Sequence, residues 1–145
     1  MPSLTVPGSL DSLDNIRSFV MQQAAEFGLS DRRTYRLSLA VDEIATNIIV
    51  HGYQEAGRSG MLDIRADLDG RKLIVTVEDD GEPFDPRDSK MPDSDDLLRP
   101  LEDRPVGGLG LFLAIQGVDE FQYERVGGRN RNIFVVYLYL DAQTG

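Results

Sequence analysis

The chain has 145 residues, 41% of them hydrophobic and 28% charged, with a formal net charge of −10. That balance suits one folded domain with a core of its own, and so strong a negative charge argues against nucleic acid as a partner, whose phosphates call for a basic face. There is no cysteine and only one histidine, His51, which excludes disulfides, thiol catalysis, thiolate zinc and any multi-histidine metal site.

In chain order, Leu4 to Val6 reads as a short strand ended by Pro7-Gly8. A helix follows, with Ser9 or Asp11 as its N-cap. Leu13, Ile16, Val20, Ala24 and Phe27 recur at spacings of three and four and mark its buried face, and Gly28 stops it. A second helix starts near Ser30-Asp31, with Leu37, Val41, Ile44 and Ile48 as its stripe and Gly52 just past its end. A β-hairpin is next: Leu62, Ile64, Ala66 and Leu68 alternate with polar residues, Asp69-Gly70 is a two-residue turn signal, and Leu73, Val75 and Val77 return.

From Glu82 to Arg104 the pattern gives way to a long, proline-rich and charged stretch, which reads as a lid over about residues 85–106. A helical segment from Leu111 to about Gln116 and two strands, Val118–Val126 and Ile133–Leu140, joined across Gly127-Gly128, complete residues 1–145 as a single domain. This order predicts an α+β fold, a two-layer sandwich with a mostly antiparallel sheet covered by helices on one face. No apolar run approaches the roughly 20 residues of a membrane span, and the first residues lack the pattern of a secretory leader. A cytoplasmic location, away from membranes, is therefore expected.

Three groups of residues invite chemistry. Glu43 and Asn47 stand four apart on the second helix, at the edge of its buried face. A carboxylate there can take a proton and an amide oxygen can hold a hard cation, although a surface Glu and Asn on an amphipathic helix give the same spacing. Asp79 shares strand parity with Leu73, Val75 and Val77 and so points inward, whereas Asp80 points out. An inward carboxylate needs donors, and an adenine amino group is one, with Gly81 allowing close approach; the alternative is a strand that ends before Asp79 and turns it to solvent. Gly107, Gly108, Leu109 and Gly110 open a helix, where free backbone N–H groups attract phosphate. No Gly-Lys-Ser/Thr follows, so it is not a Walker loop.

In sequence these are Glu-x-x-x-Asn on a helix, Asp-x-Gly after a strand, a long lid, then Gly-Gly-x-Gly. They resemble the N, G1 and G2 boxes of the Bergerat-type ATP-binding fold shared by gyrase, the ninety-kilodalton heat-shock chaperone, histidine kinases and the mismatch-repair ATPase. The run Ala40-Val41-Asp42-Glu43-Ile44-Ala45-Thr46-Asn47, then His51-Gly52-Tyr53, then Asp79-Asp80-Gly81-Glu82-Pro83-Phe84-Asp85-Pro86, is similar to the bacterial anti-sigma-factor serine kinases.

The resemblance implies that Glu43 is the general base for a serine hydroxyl and Asn47 the magnesium ligand. It implies that Asp79, with Gly81, binds adenine. Gly107, Gly108, Leu109 and Gly110 would meet the phosphates, Arg104 would reach the γ-phosphate, and Arg17 would contact protein partners. ATP and Mg²⁺ are the implied cofactors, and a sigma factor and its antagonist the implied partners, in a homodimer. The other function that the same site allows is an ATP-binding regulatory module that holds its partner without phosphoryl transfer. Two features depart from the common pattern: Pro83 stands where many relatives have glycine, and the lid is unusually acidic, with Asp88, Asp93, Asp95, Asp96, Glu102 and Asp103. His51, one turn past Asn47, is expected to pack or cap rather than accept phosphate.

Overall fold

The computed structural model describes residues 2–86 and 115–138. Five strands, β1 (Ser3–Pro7), β2 (Met61–Asp69), β3 (Lys72–Asp79), β4 (Glu120–Val126) and β5 (Arg129–Tyr137), form one sheet in the order β1-β2-β3-β5-β4. Every neighbouring pair is antiparallel. Helices α1 (Leu13–Glu26) and α2 (Asp31–Asn47) cover one face, as the element order predicted. Among the described residues no helix is long and apolar enough to cross a membrane.

The expected stripes form the core. Ile16, Val20 and Ala24 of α1 and Leu37, Val41 and Ile44 of α2 pack on Leu62, Ile64, Ala66, Leu73, Val75, Val77, Phe134 and Val136 of the sheet. Each such Leu, Ile or Val, fully buried, contributes about 1.5–3 kcal/mol. Gly28 ends α1 with φ of 85°. Its N–H reaches Ala25 O at 3.1 Å while Leu29 N–H reaches Ala24 O at 3.0 Å, the two bonds of a Schellman motif. At α2, which starts where the sequence placed it, the Ser30 hydroxyl accepts from Arg33 N at 3.3 Å as the N-cap.

Several boundaries differ from expectation. Neither Ser9 nor Asp11 caps α1: Ser9 caps a separate 3₁₀ turn (Leu10–Ser12), and α1 begins after Ser12 without a side-chain cap. Instead of stopping before Gly52, α2 runs on into a wide π-helical segment, Ile48–Gln54. The first hairpin turns at Gly70-Arg71, one residue later than predicted, because Asp69 pairs with Lys72; Gly70 supplies the positive φ, 63°. Gly127 and Gly128 form the second turn as expected, both with positive φ. β4 starts at Glu120 rather than Val118, and β5 starts at Arg129, four residues before the expected Ile133, because polar Arg129 to Asn132 pair with β3 and β4. The expected end of that strand at Leu140 lies outside the described residues.

The outer face of the sheet is of another kind. At the end that carries Glu78 it is a lattice of charges: Arg65, Arg129 and Arg131 surround Glu78 at 2.7, 3.3 and 3.5 Å. Arg129 also reaches Asp63 at 2.6 Å and Asp80 at 2.8 Å. Further along lie Ile74, Ile133 and Val135, outside the main core cluster.

Candidate active site

Glu43 and Asn47 lie on α2, both half-buried at the rim of the face that meets the sheet. Burial pushes the Glu43 carboxyl above its ordinary range, and the charge of Asp42 beside it adds to the effect. A carboxylate raised in this way holds a proton more strongly and is a better general base. Asp42 is itself tied to α1, since Arg17 Nη2 reaches its Oδ1 at 3.2 Å while Nη1 reaches Asp14 at 3.0 Å. Arg17, which the resemblance assigns to contacts with protein partners, is thus brought by the fold next to the residue that flanks Glu43.

Just past Asn47 the helix widens. Glu55 N–H bonds to Val50 O at 2.9 Å and Arg58 N–H to Tyr53 O at 2.8 Å, five residues back in each case. Wide turns of this kind are frequent at functional sites. Here the segment buries both Gly52 and Tyr53 and carries the Gly52 carbonyl to the turn after β3, where Glu82 N–H reaches it at 3.3 Å. A Cβ on Gly81 would stand 2.9 Å from that oxygen and 3.1 Å from its carbon. Gly81 is therefore required because the backbone of Gly52 passes against it. Tyr53, 1% exposed, donates to Met61 O at 2.9 Å and accepts from Asp80 N at 3.0 Å. Its ring fills the space that side chains at Gly8 and Gly60 would need.

Asp79 is inward, as strand parity predicted, and 1% exposed. Its Oδ1 accepts from Gly81 N at 2.8 Å and Asn130 Nδ2 at 3.0 Å. Its Oδ2 is buried without a partner among the described residues. Burial pushes this carboxyl up, and Asp80 adds to the rise, while the Asn130 and Gly81 hydrogen bonds and the charge of Arg125 oppose it. An unpaired buried acceptor costs about 1–3 kcal/mol, which a ligand N–H would recover. Asn132, one row along on the same face of β5, also has a buried Oδ1 without a partner.

The oxygen-rich set suits a nucleotide with a hard cation. Glu43 and Asn47 offer oxygen donors on α2, and Asp79 offers an acceptor for an amino group. Among the described residues no group of three His, Cys, Asp or Glu side chains is placed to hold a metal, so a cation here would draw oxygens from its ligand. Arg104, Gly107, Gly108, Leu109 and Gly110 lie outside the described residues, as does the lid from residue 87 on. The segment expected to be helical from Leu111 is described only at Ile115 and Gln116, which are helical. His51 is exposed, with Nδ1 2.7 Å from Glu55 Oε2 and its ring 6.1 Å from that of Phe84; it is not packed inside.

Sequence reasoning missed Asn130, Tyr123, Arg125 and Tyr53. The first three approach Asp79 from β4 and β5, and no spacing along the chain relates them to it. Tyr53 stood within the quoted motif, but its task was not legible there.

A five-stranded antiparallel sheet under two helices, with a buried carboxylate at the end of β3 on the helix-covered face, is the arrangement expected of the ATPase-like fold. The chain belongs to the histidine kinase-like ATPase domain family, whose model matches residues 6–136. It is similar to the serine-protein kinase RsbW of Halalkalibacterium halodurans, 32% identical over 128 residues that span 86% of this chain and 76% of the relative. It is 27% identical to RsbW of Staphylococcus aureus over 86% of this chain and 79% of the relative. Among solved structures, the RsbU and RsbW domains of a Mycobacterium tuberculosis protein match with a TM-score of 0.62 at 18% identity, over 94% of this chain and 32% of that one. A histidine kinase domain from Erythrobacter litoralis matches with a TM-score of 0.58 at 18% identity, over 90% of this chain and 63% of that one. At that identity the two structures speak for the fold.

Proposed function

We propose that this protein is a serine/threonine-protein kinase of a partner-switching system. It transfers the γ-phosphoryl group of ATP to a hydroxyl of a small antagonist protein, and it also sequesters a sigma factor. Family membership and the likeness to RsbW support the reading. The observation that carries it is the buried Oδ2 of Asp79, without a partner among the described residues, on the sheet face that α1 and α2 cover.

In this reading Asp79 accepts a hydrogen bond from the adenine amino group, with Gly81 beside it. The amide oxygen of Asn47 holds Mg²⁺, whose charge offsets that of the phosphates. Glu43 takes the proton of the serine hydroxyl as its oxygen bonds to the γ-phosphorus and the bond to the β-phosphate oxygen breaks, releasing ADP. Gly107, Gly108, Leu109 and Gly110 meet the phosphates, Arg104 reaches the γ-phosphoryl, and residues 85–106 close over them as a lid. Positioning and charge neutralisation supply most of phosphoryl-transfer catalysis, so this small set is sufficient.

Arg17 contacts the protein partner in the same reading. A homodimer would cover Ile74, Ile133 and Val135 on the outer face of the sheet, where no helix among the described residues lies. The protein works in the cytoplasm as a single domain over residues 1–145. The test is transfer of label from γ-³²P-ATP to the cognate antagonist. Transfer that depends on Glu43 supports the kinase; ATP binding without transfer assigns the protein instead to the regulatory modules that hold a partner without modifying it.

A further inference from the structure

The turn after β3 is held from β5. Asn130 stands opposite Asp79 in the register and is 3% exposed. Its Nδ2 lies 3.0 Å from Asp79 Oδ1, 2.9 Å from Glu82 O and 3.3 Å from Gly81 O. Its Oδ1 accepts from Arg125 Nη1 at 3.0 Å and from the Tyr123 hydroxyl. Acceptors on one side and donors on the other dictate the orientation of the amide, because the reverse would set oxygen against oxygen. Neither Tyr123 nor Arg125 touches Asp79 in these contacts; both act by fixing Asn130.

We propose that Asn130 is a positioning residue for recognition of the base: it occupies Oδ1 of Asp79, ties the Gly81–Glu82 turn to β5, and so leaves Oδ2 as the carboxylate oxygen presented to the amino group of a 6-aminopurine. The proposal rests on the nucleotide reading of the site. A carboxylate with both oxygens free turns broadly about its terminal torsion and offers either one. Here Gly81 N also binds Oδ1, at 2.8 Å. That bond is not independent of Asn130, whose amide holds the Gly81 and Glu82 carbonyls and so sets where the Gly81 N–H lies. Arg125 Nη1 also lies 3.4 Å from Gly81 O, so removal of Asn130 deletes one restraint on Asp79 and weakens the other.

The test compares ATP with purine riboside triphosphate, which lacks the 6-amino group, by calorimetry. The parent should prefer ATP by about tenfold or more, as expected for a buried hydrogen bond to a charged group. Asn130→Ala should bring that preference within about threefold. Adding Asn130→Ala to Asp79→Asn should weaken ATP binding no further than Asp79→Asn alone, because Asn130 acts through the carboxylate.

A second readout needs no nucleotide. In carbon-13 titration of the Asp79 carboxyl, Asn130→Ala should move the midpoint upward, since a hydrogen bond to the charged form is lost. Asn130→Asp has the same size, retains the bonds from Tyr123 and Arg125, and sets a second carboxylate against Asp79. It should raise the midpoint further and erase the preference, which guards against a collapsed alanine variant. An Asp79 midpoint unmoved in both variants, or a parent-like preference for ATP in both, overturns the proposal. A parent that binds the two nucleotides equally overturns the adenine reading itself, and that result is visible without any variant.

Discussion

Glu78 and Asp79 are neighbours on one strand, both nearly buried at 8% and 1% exposure, yet their surroundings are opposite. Glu78 points to the outer face and meets three arginines, Arg65, Arg129 and Arg131. Asp79 points inward to two neutral donors and keeps one oxygen without a partner. A buried charge is normally paired, and leaving one under-compensated costs stability. The outer acid thus locks the sheet together, while the inner one keeps the acceptor that the proposed reading gives to a ligand.

The largest effect should fall on chemistry at the inner side. Glu43→Gln keeps the size of the side chain but not the base, and phosphorylation of the antagonist should fall by about 10²–10⁴-fold with ATP affinity nearly unchanged. A variant that phosphorylates at the parent rate would place the base elsewhere.

Asp79→Asn should set binding against stability. The amide presents N–H where the ligand needs an acceptor, so ATP affinity should drop about tenfold or more, roughly 1.4 kcal/mol. The nucleotide-free protein should nevertheless melt higher, because a buried unpaired charge is gone. The pH dependence follows from the raised carboxyl: the fold favours protonated Asp79, so this group's contribution to stability is complete below the ordinary carboxylate range and is lost as pH rises through its higher native value. The gain in the variant should accordingly be seen at neutral pH and vanish in acid, which calorimetric melts between pH 3 and 7 would check.

Asn47→Ala should weaken ATP binding about tenfold in magnesium and much less in EDTA. An equal loss in both media would break the assignment of Asn47 to the metal.

Glu78→Gln is the mirror experiment on the outer face. It leaves three arginines short of a carboxylate, but those side chains are about a third exposed or more, so the cost after screening is roughly 1–2 kcal/mol. At about 2–4 °C per kcal/mol for a chain near this size, the melting temperature should fall by several degrees while ATP affinity stays at the parent value. A marked loss of ATP affinity would show that the two faces are not separate in function.

The smallest effect is expected at Arg17. Its pairs are exposed and contribute little to stability, but Arg17→Ala leaves Asp42 unneutralised beside Glu43. The Glu43 carboxyl should rise further, moving the acid limb of the pH–rate profile upward by a fraction of a unit. An unmoved limb would confine Arg17 to partner contacts.

The sequence by itself determined what depends on local periodicity. The faces of α1 and α2 follow from apolar spacing, their boundary from Gly28 and Ser30, and the inward course of Asp79 from strand parity. The Glu-x-x-x-Asn and Asp-x-Gly motifs were legible because each is set within a few neighbouring residues. The π-helical segment was not, since α- and π-turns draw on the same residues and the choice rests on packing of Gly52 against Gly81. Nor was the early start of β5, where polar residues pair with β3 instead of forming a loop. The partners of Asp79 were hidden for the same reason. Asn130 is 51 residues away, and only the strand register decides that its amide, rather than solvent, meets one oxygen and leaves the other bare.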